Sequence, residues 1–369
     1  MTTLTPTEDE TMLRDAARGF LDDAAPVSNL RANRDAGRPY DPALWDEMVK
    51  MGWAGVLIGE DDGGSDMGFA AANTLAEEMG RTLAASPFLS TAVIAATTLR
   101  RAGAPGLAEI ASGAATYALA IDEGPKFAPA ATRMAARADG NGFSLSGTKT
   151  FVGEGTSATR LLVLAQSEAG PTLFSIDAER AGISREKLDL VDSRDHARIT
   201  FDDVVATGED VVGEVGQGLA ALAPGLRAGQ AALAAELTGL SAGAFAMTAG
   251  YLKERKQFGR HIGSFQALQH RAAHLWSEIE VTASTIVNAG RVLDATPDEA
   301  DLAVSLAKAR ATETANLAVR EGVQMHGGIG MTDDFDMGFY MKRARVAAEW
   351  LGDYGYHAAV VARARGDAA

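Results

Sequence analysis

The chain has 369 residues, of which 47% are apolar and 22% charged, and its 49 acidic and 34 basic side chains give a formal charge of −15. That length exceeds what one hydrophobic core usually serves, and the balance belongs to globular rather than disordered chains. The negative field repels phosphate backbones and anionic lipid, so neither nucleic acid nor a membrane is an expected partner. With no cysteine, disulfides, thiolate metal sites and cysteine nucleophiles are excluded together.

Residues 1–115 predict a helical N-terminal domain. Met12, Ala16, Phe20 and Leu21 fall near helical steps, as do Leu44, Met48 and Met51. GEDDGGSDMG, Gly59 to Gly68, interrupts them as a Gly/Asp loop, and Ala70 to Leu99 is apolar on several sides, as buried helices are. The acidic N-terminus lacks a basic stretch followed by an apolar one, and no apolar run approaches about 18 residues. A cytoplasmic location is the expectation.

Residues 116–212 predict a middle β domain. RMAARADGNGFSLSGTKTFV reads as two strands about the turn Asp139-Gly140-Asn141-Gly142. RLLVLAQSEAGPTLFSIDAE and LDLVDSRDHARITFDDVVA each add two more. Strands in succession with no helix between them predict an antiparallel sheet or barrel.

Residues 213–369 predict a C-terminal four-helix bundle. Leu219 to Lys256 is rich in Ala and Leu, with Gly229, Gly239 and Gly243 permitting close approach; Leu268, Ala272, Leu275 and Ile279 mark the next helix. A third helix is expected from the capping pattern Thr296, Pro297, Glu299 to His326, where Gly327 and Gly328 end it. A fourth is expected over Asp334 to Leu351.

Two stretches carry candidate chemistry. ERKQFGRHIGSFQALQH, Glu254 to His270, places Arg255, an amide and an aromatic at one helix end and SFQ at the start of the next. Backbone donors at a helix start beside an arginine suit a pyrophosphate, although a basic helix end has the same composition. QMHGGIG, Gln324 to Gly330, has paired glycines that admit a ribose or pyrophosphate close to the backbone, or simply terminate a helix. It is no Rossmann turn, since no strand precedes it. His261, His270 and His274 are mixed with Arg271 and Glu278, which predicts a solvated polar face. No metal is assigned.

With RKQFG…FQ and QMHGGIG together, and with helices, strands and helices in that order, the chain resembles the acyl-CoA dehydrogenase family over nearly its whole length. The likeness is greatest to small subunits of heteromeric bacterial members, of the pimeloyl-CoA type. The resemblance implies the fold of a helical domain, a β-barrel domain and a four-helix bundle, and a flavoprotein that desaturates an acyl-CoA thioester at its α,β bond. A carboxylate takes the α proton, and the β hydrogen leaves as hydride to FAD. It further implies that Arg255, Gln257, Phe258, Phe265 and Gln266, with Gln324, Gly327 and Gly328, contact an FAD across a subunit interface. An electron-transfer acceptor protein completes the expected partners.

The rest of the family pattern is altered. The usual terminal glutamate falls at Leu351, and the alternative glutamate of some relatives falls at Gly229. Gln230 stands where many relatives have an arginine near CoA. The flavin strand reads IDEGPKFA, Ile121 to Ala128, with Gly124 retained, and the aromatic-Ile-Thr beside the ring reads Phe151-Val152-Gly153. Glu349 and Asp353 would point about 200° away from Leu351 on a helix, so neither replaces it. Glu236 returns to the face of Gly229 about 10 Å further along a helix and is the weak candidate for a relocated base.

The expectation is therefore the half-site subunit of a hetero-oligomer, of α2β2 form, whose partner supplies the glutamate and CoA pocket. Two-chain relatives often take bulky thioesters, dicarboxylyl and steroid side-chain CoA esters among them, in fatty acid or steroid side-chain catabolism. Two readings stand beside it: a self-sufficient homo-oligomer using Glu236, and a flavin-free interaction protein that kept the fold.

Overall fold

The structure is a computed structural model, and it describes residues 4–366. In chain order its elements begin with helices α1 (Glu8–Ala24), α2 (Val27–Asp35), α3 (Pro42–Lys50), α4 (Gly68–Thr82), α5 (Ala96–Ala102) and α6 (Leu107–Ala111). Seven strands follow: β1 (Tyr117–Ala120), β2 (Ala135–Asp139), β3 (Gly142–Gly153), β4 (Arg160–Ser167), β5 (Gly170–Asp177), β6 (Ile183–Lys187) and β7 (His196–Ala206). The chain then forms α7 (Gly218–Glu254), a small hairpin of β8 (Lys256–Gln257) and β9 (Arg260–His261), α8 (Gln266–Ala295), α9 (Asp301–His326), α10 (Met337–Glu349) and α11 (Tyr354–Arg365). Helices, sheet and helices appear in the expected order.

The described chain forms two compact units. One comprises residues 33–68 and 85–229 and holds the sheet. β2 and β3 pair through Asp139 and Gly142 around a two-residue turn, and Gly140 supplies its positive φ. β4 and β5 form a second hairpin in register from Arg160↔Asp177 to Ser167↔Gly170. The sheet is curled and mostly antiparallel, but β1 and β2 both pair with β4 in parallel.

The third predicted pair is shifted. Its first strand is β6, in ISREK, while Leu188 to Asp195 forms the connection to β7. Asp195 explains the connection: its carboxylate accepts from the backbone N–H and the hydroxyl of both Thr156 and Ser157, so the chain there serves a loop instead of a ladder. The core of this unit joins Leu145, Leu161, Val163, Phe174, Ile199 and Phe201.

The other unit comprises the chain up to Ala32, Phe69–Ala84 and the chain from Gln230 onward. Thr7 caps α1, its hydroxyl accepting from the Glu10 N–H while the Glu10 carboxylate accepts from the Thr7 N–H. The buried positions of α1 are Ala17 and Leu21, whereas Met12 is exposed, so the expected apolar face is rotated. Glycines set the approach of α4 and α7: a Cβ on Gly239 would lie 1.7 Å from Glu77 O, and one on Gly80 would lie 2.0 Å from Glu236 O. Any side chain there would push the helices apart.

Helix α7 has the length and composition of a membrane span, yet 78% of its most apolar window is buried. It is a core helix. Thr296 does not cap α9 as expected, because α8 runs to Ala295 and a short turn over Pro297–Glu299 intervenes. The fourth predicted helix ends at Glu349 instead of Leu351, and α11 adds a fifth helix to this part of the chain.

Candidate functional site

The exposed basic hairpin and the glycine turn come together at one end of the helical unit. Leu252 at the end of α7, Ile262 and Leu268 beside α8, and Met325 at the end of α9 share one apolar cluster. Tyr251 stacks on His326 at 4.5 Å between ring centroids, and Phe335 lies 4.7 Å from the same imidazole. The His326 Nδ1 lies 2.7 Å from Gly322 O, and burial pushes its pKa down. The imidazole is therefore neutral at pH 7, and Nδ1 donates to that carbonyl.

From this packed base the polar groups project outward. Arg255 is exposed, and its guanidinium makes no ion pair among the described residues. Its carbonyl accepts from the Ile262 N–H at 2.8 Å, closing the hairpin whose tip carries Phe258 at 91% exposure and φ 52°. Phe265 stacks under Arg260, with Cζ 4.0 Å from the ring centroid, and lies edge-on to Phe258. Gln266 opens α8, and Gln257 and Gln324 are exposed.

Gly327 sits at φ 68° and ψ −146°, which favours glycine, and a Cβ on Gly327 or Gly328 would meet nothing within 4 Å. An exposed guanidinium, a helix start and an open glycine turn suit the phosphate and ribose portion of a dinucleotide. The structure brings all eight predicted cofactor residues to this one end.

The Leu351 turn is built differently. Leu351 is 1% exposed with φ 57°, so it is a left-handed turn residue and the helical 200° argument for Glu349 and Asp353 does not apply. Each acid has a local role: Glu349 pairs with Arg345 at 2.7 Å, and Asp353 caps α11 by accepting from the Tyr356 N–H. The Leu351 carbonyl accepts from Gln230 Nε2 at 3.0 Å and from His357 Nε2 at 3.2 Å.

Lys308, fully buried in α9, reaches the carbonyls of Ala347, Ala348 and Gly352 at 3.1–3.2 Å. Burial pushes Lys308 down to about 7, and burial together with Lys308 pushes His357 down to about 4. Gln230, at the position where the resemblance gives many relatives an arginine, thus holds the turn. Glu236 is 6% exposed, and its Oε1 lies 3.4 Å from Nη1 of the fully buried Arg343. Gly229 is buried in α7.

Ile121 to Ala128, in the sheet-bearing unit, is occupied by its own charges. Glu123 accepts from Lys149 Nζ at 2.7 Å, from Thr132 Oγ1 at 2.7 Å and from the N–H groups of Arg133 and Met134. These donors hold its carboxyl at about 2 despite burial. Asp122 is the reverse case. Burial raises it to about 6, against the opposing pull of Lys149, and its Oδ1 has no hydrogen-bond partner. Gly124 is open, since a Cβ there would meet nothing within 4 Å, while Phe151 is strained at φ 54° and 42% exposed. In the stretch that the resemblance aligns with the family's flavin strand, Glu123 is thus committed to Lys149 and Thr132, and Asp122 is partly buried beside them.

Comparison with known proteins agrees with this architecture. Residues 7–109 match the acyl-CoA dehydrogenase N-terminal domain and residues 216–365 the acyl-CoA dehydrogenase C-terminal domain. The acyl-CoA dehydrogenase IpdE2 of Mycobacterium tuberculosis is 30% identical over 351 residues, covering 94% of each chain. A solved structure of a variant of the Tcur3481-Tcur3483 steroid ACAD is 33% identical, with a TM-score of 0.87 over all of both chains. The ChsE4-ChsE5 complex of Mycobacterium tuberculosis, 24% identical, superposes with a TM-score of 0.90 over all of both chains and shares the fold. The chain belongs to the acyl-CoA dehydrogenase family. Family and fold support the oxidation of acyl-CoA thioesters as its chemistry, and the family's members bind FAD.

Sequence reasoning missed Lys308, His357 and the Glu123–Lys149 pair. Lys308 had a signal. Its neighbours at helical steps, Val304, Ser305, Ala311 and Thr312, are apolar or small, which marks a buried face carrying one cation.

Proposed function

We propose that this chain is the half-site subunit of a hetero-oligomeric, FAD-dependent acyl-CoA dehydrogenase of α2β2 form, acting in the cytoplasm. The observation that carries it is the Leu351 turn. Its backbone is held by Gln230, Lys308 and His357, yet the side chain at the family's base position is a buried leucine. A carboxylate for α-proton removal would then come from a catalytic partner chain, along with the CoA pocket.

This chain's part is to bind and orient. Arg255 and the start of α8 would hold the pyrophosphate of the partner's FAD, and Gln324, Gly327 and Gly328 would admit the adjoining sugar. Bound FAD would supply the two-electron acceptor for the hydride. The steroid-directed relative favours a bulky acyl group, and reduced flavin would pass its electrons to an acceptor protein. The homo-oligomeric reading needs Glu236 as base, but its carboxylate sits beside Arg343 in the core, the geometry of a structural ion pair.

Co-expression with a glutamate-bearing dehydrogenase chain, followed by flavin quantification, tests the proposal. One FAD for each pair of unlike chains is expected. One FAD in every chain, this one included, would refute the half-site assignment.

A further inference from the structure

Within the sheet-bearing unit, away in sequence and in unit from Arg255 and Gln324, lies a cavity of about 150 Å³ between α5, α6 and the starts of β1 and β4. Leu99, Val211 and Val212 give it apolar walls. Its polar lining is unusual: one guanidinium, from Arg160, and two carboxylates, from Glu109 and Glu209. None of the three makes an ion pair among the described residues. The three charges around this small cavity therefore have no ion-pair partner of opposite sign among the described residues, and Glu109 and Glu209 are exposed at its rim.

Arg160 is nevertheless fixed in place. Its Nε and Nη2 donate to Ser175 Oγ at 3.3 and 3.1 Å, Nη2 also reaches Ser175 O at 3.2 Å, and Cζ lies 6.0 Å from the Tyr117 ring centroid. Nη1 remains for a ligand. Tyr117 is 1% exposed, and its hydroxyl faces Gly106, where a Cβ would come within 2.7 Å of the oxygen. The glycine keeps room beside that hydroxyl, which offers a second polar contact.

An anion alone would meet two carboxylates against one guanidinium, and a cation alone would meet Arg160. A ligand carrying both charges satisfies the whole lining, with charge-assisted bonds at each end. Cavities of about 150 Å³ hold a group the size of benzene, so a branched aliphatic side chain fills the apolar part. We propose that this cavity binds a small aliphatic zwitterion of the size of valine, with its carboxylate on Arg160 and Tyr117 and its ammonium toward Glu109 and Glu209.

Calorimetric titration of the full chain with L-valine tests the site, with isobutyrate and isobutylamine as probes that each lack one charge. Valine should bind at roughly millimolar concentration, and either single-charge probe about tenfold or more weakly. Arg160→Gln should weaken valine about ten- to a hundredfold. Glu209→Gln changes an exposed side chain in the short 3-10 turn Gly208–Asp210, so it tests the ammonium end without threatening the fold, and should weaken valine severalfold. Absence of valine binding at ~10 mM would overturn the proposal. So would isobutyrate binding as tightly as valine, which would mark a plain anion site, or valine affinity unchanged in both variants, which would place it elsewhere.

Discussion

Two side chains separate binding from chemistry at the level of single residues. Arg255 has no ion-pair partner among the described residues and stands in water beside a helix start, so its replacement should cost the fold little. In the complex, Arg255→Ala should remove charge-assisted bonds worth about 1.5–3 kcal/mol, a ten- to hundredfold loss of flavin affinity. Flavin absorbance after dialysis reads it directly, and unchanged occupancy would reduce the hairpin to a basic helix end. Glu236 predicts the opposite. With Arg343 fully buried beside it, Glu236→Gln takes a negative charge away from a buried guanidinium and should cost about 3–5 kcal/mol in urea denaturation while turnover per folded complex persists. Loss of turnover at undiminished stability would instead make Glu236 the base.

At the scale of elements, the α10–α11 turn ties stability to pH. His357 titrates near 4 in the fold against an ordinary 6.5, so between those values the unfolded chain binds more protons and stability falls as pH falls. Lys308 titrates near 7 against 10.5, so the unfolded chain again binds more protons across that window and stability rises with pH. Raising pH from 7 to 9 should therefore stabilise the protein by about 1–3 kcal/mol at 1.36 kcal/mol per unit. Lys308→Met should flatten that rise; a slope that survives in the variant would assign it to other groups.

This turn also shows where the sequence stops being legible. Sequence pattern placed α7 by its Ala and Leu content, α8 by apolar residues at helical steps, and α9 by its glycine stop. It carried the fourth helix too far, since nothing local announces that Leu351 turns left-handed. That conformation is imposed by Gln230, Lys308 and His357, which are remote in sequence. Likewise the β2–β3 hairpin was legible in its Gly-Asn turn, whereas the parallel pairing of β1 with β4 depends on partners more than forty residues apart. The flavin-motif residues were legible as compact local strings. The Glu123–Lys149 pair was not, because its two halves lie on separate segments joined only by folding.

For the whole molecule, the departures from a complete dehydrogenase fall in both compact units. In the helical unit a leucine stands at the position the resemblance gives the base, while in the sheet-bearing unit Asp122 and the Glu123–Lys149 pair occupy the stretch aligned with the family's flavin strand. A single lost base could be restored by one substitution; two independent losses cannot. The chain purified alone should therefore be colourless and should not oxidise acyl-CoA thioesters in a dye-reduction assay. On the half-site reading, Leu351→Glu should leave it so, since the chain alone would still hold no flavin. The variant buries a new acid at a position 1% exposed, so circular dichroism must first confirm that it folds. A yellow isolated protein would show that this chain holds a complete flavin site of its own, and a folded Leu351→Glu variant that turns over thioester without a partner would overturn the half-site reading.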